Sequence, residues 1–372
     1  MTIFPTEDHP FERTPSPGRA MIFGTGLIGG SVGMALRQRG WTVNGVDAGG
    51  GVAARAVELG ALTSEGIDRR ADLVVVATPV GAVPAVISEI LAAGTWNPAA
   101  VFTDVGSVKG PLVAAIDHPH FVGGHPMAGS EQVGVDGASG DLFVGATWVL
   151  TPTAITDPGA YTQLRNVLAG LGASVVALAP DQHDALVAVI SHVPHLAAAT
   201  LMNLADTAAE EHATLLRLAA GGFRDMTRVA AGHPGIWPDV LAANRDGIVE
   251  TLDLLLAELA RVRGLVAASD RDGLLEMLER ARKARLNLPS RVPRAEDVVE
   301  IRVPVPDQPG QLAEVTTLFG ELGVNIWDIE LAHSAEGERG VMVLVVDGSE
   351  AERARDALAT HGYRSAIRRV GL

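Results

Sequence analysis

Three glycines and one aspartate have the spacing of a dinucleotide-binding turn. Gly24, Gly26 and Gly29 follow a short apolar run and open a segment with helical periodicity. In such a turn the first glycine permits the sharp bend, the second lets a pyrophosphate approach the backbone, and the third allows the helix to pack on the strand. Asp47 ends the next apolar run, where a carboxylate can accept both ribose hydroxyls. A 2′-phosphate would meet like charge there, so the pattern predicts NAD rather than NADP.

Three polar motifs each follow directly on an apolar strand candidate. They are Thr78-Pro79, the DVGSVK motif at residues 104–109 and the GGHPMAGSE motif at residues 123–131. Ligands of an open α/β sheet bind beyond the carboxyl ends of its strands, so we expect the three motifs to surround one site beside the nicotinamide. The expected NAD contacts are Gly24, Gly26, Leu27, Ile28, Gly29, Asp47, Thr78, Pro79 and Ser107.

His125 is the candidate general base of this site, because an imidazole titrates near neutral pH. Ser107 is placed to align His125 with a substrate hydroxyl, and capping the next helix is its alternative role. For Lys109 the alternatives are an anion partner and a solvated surface lysine. Asp104 is expected to order its loop rather than to carry a proton.

The C-terminal half of the chain adds imidazoles and an arginine. His192 and His195 have a spacing that a metal could use, but Pro194 lies between them and no carboxylate has a suitable offset, so no metal site is predicted. Arg228 suits a bidentate grip on a carboxylate. A surface ion pair is the alternative interpretation of Arg228.

Composition excludes several classes of protein. The formal net charge is −15, which argues against nucleic acid as a partner. The absence of cysteine rules out a thiol nucleophile and Cys-ligated zinc. No apolar run approaches the length of a membrane span, and the acidic, proline-rich residues 1–18 do not resemble a signal peptide. We therefore expect a cytoplasmic protein that binds neither membrane nor nucleic acid.

The order of predicted elements gives an α/β fold with two further parts. Residues 1–18 are expected to be a disordered tail, and residues 19–180 a Rossmann-type doubly wound sheet, since their apolar runs are continuous as in buried parallel strands. Residues 181–288 show only helical periodicity and are expected to mediate a homodimer. After a linker at residues 289–297, residues 298–372 have the order βαββαβ of a small ferredoxin-like module.

The motifs together resemble those of prephenate dehydrogenases that carry a C-terminal ACT domain. The resemblance covers residues 19–372 and includes GTGLIGGS, DVGSVK, GGHPMAGSE, the SHVPH motif at residues 191–195 and the FRDMTR motif that ends at Arg228. It implies that prephenate loses a hydride to NAD⁺ and its ring carboxylate as CO₂, giving 4-hydroxyphenylpyruvate. Aromatisation then drives the reaction, so the protein has to position C4 and manage one proton.

The same resemblance implies roles for individual residues. His125 takes the C4 hydroxyl proton while Ser107 orients it, and Arg228 binds a substrate carboxylate. The other implied substrate residues are His195 and Ser191 in the side-chain pocket, the Gly221 backbone and the partner subunit's Trp237 closing the site, and Glu131 modulating pH response and access.

Three alternative functions are weighed against this one. Arogenate dehydrogenase differs in using the amino-acid form of the substrate, and His195 favours the keto acid because an ammonium group would call for an acidic residue. A 3-hydroxyacid dehydrogenase would need a lysine in the helical part, and residues 181–261 contain none. A non-catalytic sensor of NAD and an amino acid is the third.

The C-terminal module resembles ACT domains that bind amino acids at dimer interfaces. Tyrosine is the expected effector, and a purely structural dimerising module is the alternative. The residues that match the effector-binding loop and strand are Asp307, Gly310, Gln311, Leu312, Asn325 and Ile326.

Overall fold

A computed structural model describes residues 17–129, 132–211, 215–287, 298–306, 308–333 and 339–369. The chain divides into two compact units, Met1–Leu259 and Ala260–Leu372. The expected fold class is confirmed: a Rossmann-type sheet, a helical part and a small α/β module follow one another along the chain.

The first unit contains an eight-stranded sheet in the order β3-β2-β1-β4-β5-β6-β7-β8. The first six strands are parallel, whereas β7 and β8 run antiparallel to them, a reversal that continuous apolar runs do not reveal. The strands are β1 (Arg19–Phe23), β2 (Thr42–Val46), β3 (Ser64–Glu65), β4 (Leu73–Val76), β5 (Val101–Asp104), β6 (Phe121–Pro126), β7 (Thr147–Thr151) and β8 (Ser174–Ala177).

Helices cover both faces of this sheet, and each face has its own apolar core. Val32 and Leu36 pack on one face with Leu164, while Ile87 and Leu112 pack on the other. Burial on both faces explains the continuous apolar strands. The helices are α1 (Leu27–Arg37), α2 (Val52–Glu58), α3 (Val83–Ala92), α4 (Gly110–Ala114) and α5 (Pro158–Gly170).

The helical part follows β8. A π-helical turn, Ala188–His192, joins its first two helices, and a small apolar cluster of Ala188, Val193 and Ile248 holds the later helices of the first unit. The helices are α6 (Pro180–Val187), α7 (Val193–Glu211), α8 (Gly221–Thr227), α9 (Trp237–Ala243), α10 (Arg245–Ala267) and α11 (Arg271–Leu286).

One stretch among the described residues, Pro180–Ala209, is long and apolar enough to span a membrane by length and composition alone. His183 and His192 are almost completely buried in it, and Asp184 is buried beside them. All three are hydrogen-bonded to other parts of the first unit. Ionisable groups are costly inside a bilayer, so we interpret this stretch as a core helix of the protein.

The second unit contains the small α/β module. Its four-stranded antiparallel sheet has the order β10-β11-β9-β12, and apolar side chains such as Val315, Phe319 and Leu358 pack its helices on the sheet. The elements are β9 (Val298–Pro306), α12 (Gln311–Glu321), β10 (Ile326–His333), β11 (Arg339–Asp347), α13 (Ala351–Thr360) and β12 (Ala366–Arg369).

Candidate active site

The glycine-rich turn has the shape that its spacing predicts. Gly24 has φ of +88°, a conformation that glycine adopts without strain, and a Cβ there would lie 2.5 Å from the Ala77 carbonyl oxygen. A Cβ at Gly29 would overlap the Gly24 carbonyl oxygen. Around the Cβ position of Gly26 no described atom lies within 4 Å, which leaves room for a phosphate at the N-terminus of α1.

Asp47 lies directly after β2 and contacts the glycine-rich turn. Its Oδ2 accepts hydrogen bonds from Thr25 N at 2.7 Å and Thr25 Oγ1 at 3.3 Å, and its Oδ1 accepts one from Gly49 N at 2.8 Å. A carboxylate offers about four lone-pair sites, so acceptor capacity remains for a ribose. These bonds hold the carboxylate beside the turn that would carry the pyrophosphate.

Thr78 supplies an independent sign of a missing partner. Its hydroxyl is buried and has no hydrogen-bond partner among the described residues, although buried polar groups are nearly always paired. Its backbone nitrogen borders Gly24, and Pro79 precedes a short helical turn at Val80–Ala82. The orphaned hydroxyl, the open space at Gly26 and the Asp47 carboxylate therefore fit a dinucleotide.

A buried ion pair fixes the loop between β5 and α4. Lys109 and Asp104 are both fully buried, and Lys109 Nζ donates to Asp104 Oδ2 and, at 2.8 Å, to the Gly124 carbonyl oxygen. Asp104 also accepts from Gly106 N and Gly124 N, which confirms its expected role in ordering the loop. The interpretation of Lys109 as a solvated lysine is wrong, since its side chain is fully buried and its ammonium group is bonded to Asp104 and to β6.

Ser107 is half-buried in the same loop, but it does not cap α4. The helix begins at Gly110, and Asp184 of α6 accepts from Lys109 N at 2.8 Å and from Gly110 N at 2.7 Å. The alternative role of Ser107 as a helix cap is therefore wrong, because a carboxylate 75 residues away takes that position.

His125 lies inside β6, where it pairs with Val149 of β7, rather than in a loop after the strand. Its Nδ1 is 2.8 Å from His183 Nε2, and His183 Nδ1 is 2.8 Å from Asp184 Oδ1. Burial holds the pKa of His125 well below its usual 6.5, and the Lys109 charge, His183 and His192 add to this effect. His125 is therefore a neutral imidazole at neutral pH, as a general base must be.

Together α6, the π turn and α7 form one continuous helical stretch, the long helix, Pro180–Glu211. The π turn determines which of its side chains face this centre. His183 and His192 are nine residues apart, a spacing that places them on opposite sides of a regular α-helix. The π turn between them takes up one extra residue, and such turns occur often at functional sites. Asn244 connects the residues on the two sides of this turn. Its Nδ2 lies 2.8 Å from the Asp184 carbonyl oxygen and 3.1 Å from His192 Nδ1.

His195 stacks on Trp237 of its own chain, with ring centroids 3.6 Å apart and planes 12° from parallel. The role that the resemblance implies for the partner subunit's Trp237 stays a prediction, because the stacking described here lies within one chain. Burial lowers the pKa of His195, so the stacked ring is a neutral, flat surface at neutral pH.

The remaining expected substrate residues lie on the helical part. Ser191 is half-buried in the π turn, whereas Gly221 at the start of α8 and Arg228 just after it are exposed. Arg228 takes part in an interaction within the protein, and a role toward a substrate stays a prediction. Glu131 lies outside the described residues.

Sequence reasoning assigned no role to His183, Asp184 or Asn244. Local patterns could not have found the last two, because Asp184 accepts from Lys109, 75 residues away, and the partners of Asn244 lie 52 and 60 residues away. His183 could be seen in the sequence as one of several histidines on predicted helices, but that pattern is not specific for a functional role.

The second unit has a cavity of about 220 Å³ at the start of α12. Gly310, with φ of +96°, lines it together with Gln311 and Leu312, and Leu331 and Met342 add apolar wall. Asn325 and Ile326 lie beside the start of β10 and do not line this cavity. Asp307 lies outside the described residues.

Three family models match the chain in succession. Residues 32–177 match the nucleotide-binding domain of prephenate dehydrogenase, and residues 179–280 match the dimerization domain of the same family. Residues 299–361 match the ACT domain.

Curated relatives extend over most of the chain. The prephenate dehydrogenase of Bacillus subtilis is 35% identical over 340 residues, which are 87% of this chain and 90% of that protein. The cyclohexadienyl dehydrogenase of Zymomonas mobilis is 33% identical over 279 residues, 72% of this chain and 94% of that protein.

Solved structures match nearly three quarters of the chain. Prephenate dehydrogenase from A. aeolicus, in complex with hydroxyphenyl propionate and NAD⁺, has a TM-score of 0.69 and 28% identity, covering 74% of this chain and 100% of that chain. Synechocystis arogenate dehydrogenase has a TM-score of 0.63 and 31% identity, and the match covers 72% of this chain and 98% of that chain.

Proposed function

Since the chain belongs to the prephenate dehydrogenase family, we propose that it oxidises prephenate with NAD⁺ to 4-hydroxyphenylpyruvate and CO₂. The observation that carries the proposal is the neutral, buried His125 in β6, close to the ends of the strands that bear the dinucleotide-binding residues. A base at that position suits the oxidation of an alcohol, in which the hydroxyl loses its proton while the carbon that bears it loses a hydride.

Bound NAD⁺ supplies the hydride acceptor for C4 of the substrate. The chain's part is to hold it: Gly24, Gly26 and Gly29 with the N-terminus of α1 take the pyrophosphate, and Asp47 takes the adenosine ribose. The Thr78 hydroxyl lacks a hydrogen-bond partner among the described residues. It is the expected hydrogen-bond donor to NAD⁺ near the nicotinamide end. The remaining expected NAD⁺ contacts are Leu27, Ile28, Pro79 and Ser107.

The protein's chemical task is to control one proton. His125 accepts the C4 hydroxyl proton as the hydride leaves, and Ser107 orients that hydroxyl. The bond to the ring carboxylate then breaks, its electrons complete the aromatic ring as CO₂ departs, and the C4 oxygen takes the proton back from His125 to give the phenol. Because aromatisation makes the step favourable, positioning and proton transfer are the contributions required of the side chains.

Substrate recognition falls to the helical part. Arg228 binds a carboxylate of prephenate, and the neutral His195 ring, backed by Trp237, lines the side-chain pocket. Ser191 and the Gly221 backbone complete the pocket, and Glu131 is expected to modulate pH response and access. A neutral ring beside the side chain accommodates a keto group, whereas the ammonium group of arogenate would gain nothing from it.

The test is turnover with prephenate and with arogenate, each with NAD⁺ and NADP⁺. We expect NADH and CO₂ to form at equal rates with prephenate and NAD⁺, with a higher kcat/KM than for arogenate. A preference for arogenate would assign the alternative substrate. No NADH from either cyclohexadienyl acid would contradict catalysis and favour a sensor of NAD and an amino acid.

Asp47→Ser is expected to reduce the preference for NAD⁺. Loss of hydrogen bonds to a charged acceptor costs about 1.5–3 kcal/mol, which corresponds to a rise in KM for NAD⁺ of about 10- to 100-fold. Removing the negative charge should also lower KM for NADP⁺. The measurement is kcat/KM for both cofactors, with Asp117→Ser, at an exposed site, as the matched control. An unchanged ratio would remove Asp47 from the ribose site.

The ACT module is proposed to bind tyrosine as a feedback inhibitor. The cavity of about 220 Å³ beside Gly310 combines exposed backbone at the N-terminus of α12 with apolar wall from Leu331 and Met342. Backbone N–H groups suit an amino acid's carboxylate, and the apolar wall suits an aromatic ring.

Gly310→Ala is expected to weaken this inhibition. Gly310 has φ of +96°, so a Cβ strains the loop, and no described atom lies within 4 Å of that Cβ position. We expect the tyrosine concentration for half-inhibition to rise about tenfold, as for about 1.4 kcal/mol, with unchanged kcat in its absence. Gly320→Ala, in α12 with open space at its Cβ, is the matched control. An enzyme indifferent to tyrosine would contradict the proposal.

We also propose a homodimer that forms through the helical part. Val249, Leu254, Leu256 and Leu259 of α10 are exposed, and a run of exposed apolar side chains typically marks an interface. The matching family domain is described as a dimerization domain. A cytoplasmic location is proposed for such a biosynthetic enzyme.

A further inference from the structure

Asp184 fixes the polarity of a hydrogen-bond chain that ends at His125. An ionised carboxylate only accepts hydrogen bonds, and Asp184 receives Lys109 N on Oδ1 and Gly110 N on Oδ2. His183 Nδ1 lies 2.8 Å from Asp184 Oδ1. His183 Nδ1 must therefore carry a hydrogen and donate it to Asp184.

The donor and acceptor roles of His183 determine those of His125. A neutral imidazole has one donor and one acceptor nitrogen, so His183 with a hydrogen on Nδ1 has an acceptor at Nε2. That atom is 2.8 Å from His125 Nδ1. His125 Nδ1 is therefore the donor of this bond, and His125 Nε2 is left without a hydrogen.

We propose that Asp184 and His183 are positioning residues that hold His125 in its Nδ1-protonated tautomer, with Nε2 as the base of the reaction. The inference rests on the proposed function for its catalytic consequence, but not for the tautomer itself. In catalytic triads a carboxylate bonded directly to the histidine orients it and keeps it in the productive tautomer; here the His183 imidazole stands between the Asp184 carboxylate and His125.

The charges around His125 agree with this assignment. Lys109, paired with Asp104, donates to the Gly124 carbonyl oxygen of β6. His183 and His192 of the long helix act on the ring directly, and Asp184 acts on it through His183. A protonated His183 would donate from both nitrogens and turn His125 around, but it would place a second buried cation near Lys109. When His125 gains the substrate proton, its new charge faces the Asp184 carboxylate through His183.

Asp184→Asn tests the tautomer directly. With its amide nitrogen in the place of Oδ1, the asparagine can donate to His183 Nδ1 and reverse the chain; its oxygen, in the place of Oδ2, still accepts from Gly110 N, and Lys109 N loses its acceptor. The probe is full-length, ¹⁵N-histidine-labelled protein with NAD⁺ bound, in which long-range ¹H–¹⁵N spectra identify the protonated nitrogen of His125, assigned with the His125→Asn variant. We expect hydrogen on Nδ1 in the unchanged protein and on Nε2 in Asp184→Asn. Hydrogen on Nε2 in the unchanged protein, or no switch in the variant, would overturn the proposal.

A second pair of variants leaves the Asp184 cap untouched. His183→Gln offers an oxygen to His125 Nδ1 and an amide N–H to Asp184, whereas His183→Leu offers neither. We expect His183→Leu to lower kcat by about 10²-fold or more, within the range for general-base catalysis, and His183→Gln to recover at least tenfold of that loss, with similar KM for prephenate in both. Equal kcat in the two variants would contradict the relay.

The two experiments separate the inference from the proposed function. If the enzyme turned over neither cyclohexadienyl acid, the proposed function would fail while the nitrogen spectra still reported the tautomer. If turnover occurred and His125 carried its hydrogen on Nε2, the relay alone would fail.

Discussion

His125→Asn is expected to lower kcat by about 10²–10⁴, the usual contribution of a positioned general base. Asparagine keeps a polar group of similar reach toward His183, so β6 and the long helix should remain joined. It cannot accept the C4 hydroxyl proton. The measurement is steady-state turnover with prephenate and NAD⁺, with KM for NAD⁺ and the melting temperature as checks on the fold.

The control for this variant is His361→Asn, at an exposed histidine of the second unit, which should leave kcat unchanged. Since the pKa of His125 lies well below 6.5, the base is already neutral at neutral pH. We therefore expect kcat of the unchanged enzyme to fall only as the pH drops below 6.5, and this acid limb to disappear in His125→Asn. Turnover like that of the unchanged enzyme would exclude His125 as the base.

Lys109→Met is expected to destabilise the first unit by about 3–5 kcal/mol, the cost of removing one partner of a buried ion pair. The substitution keeps the aliphatic stem but leaves the Asp104 carboxylate buried without its charged donor. Urea unfolding measures the loss of free energy. Lys283→Met, at an exposed site in α11, is the matched control and should change the free energy of unfolding by less than about 0.5 kcal/mol.

Adding Asp104→Asn should recover part of the stability lost in Lys109→Met, because no uncompensated charge then remains. The Lys109 charge also lowers the pKa of His125, so Lys109→Met should move the acid limb of kcat to higher pH. A loss of stability below about 1 kcal/mol would show that the pair behaves as an exposed one.

Local sequence patterns predicted much of the fold and of the cofactor site. The roles of Gly24, Gly26 and Gly29 follow from spacing within one turn, and the βαββαβ order of the second unit follows from periodicity. These features depend on contacts between residues close in the chain, which a single sequence displays directly. The candidate residues Asp47 and Ser107 could be predicted because each follows a strand, and His125 because it lies near the carboxyl end of one.

Long-range contacts were not predictable in the same way. Asp184 caps α4 across 75 residues, and Lys109 is buried because β6 lies over it. The π turn shifts the helical register by one residue, so spacing alone misjudges which histidines share a face. The contact of Trp237 with His195 of its own chain also depends on how α9 returns to α7, which no local pattern encodes.

The most direct test of the proposed mechanism is a crystal structure of the protein with NAD⁺ and 4-hydroxyphenylpyruvate. We predict His125 Nε2 within about 2.6–3.2 Å of the phenolic oxygen, the reach of a general base, with the Arg228 guanidinium on the side-chain carboxylate in the same cavity. A phenolic oxygen beyond the reach of His125, with Arg228 on a separate surface, would contradict the mechanism.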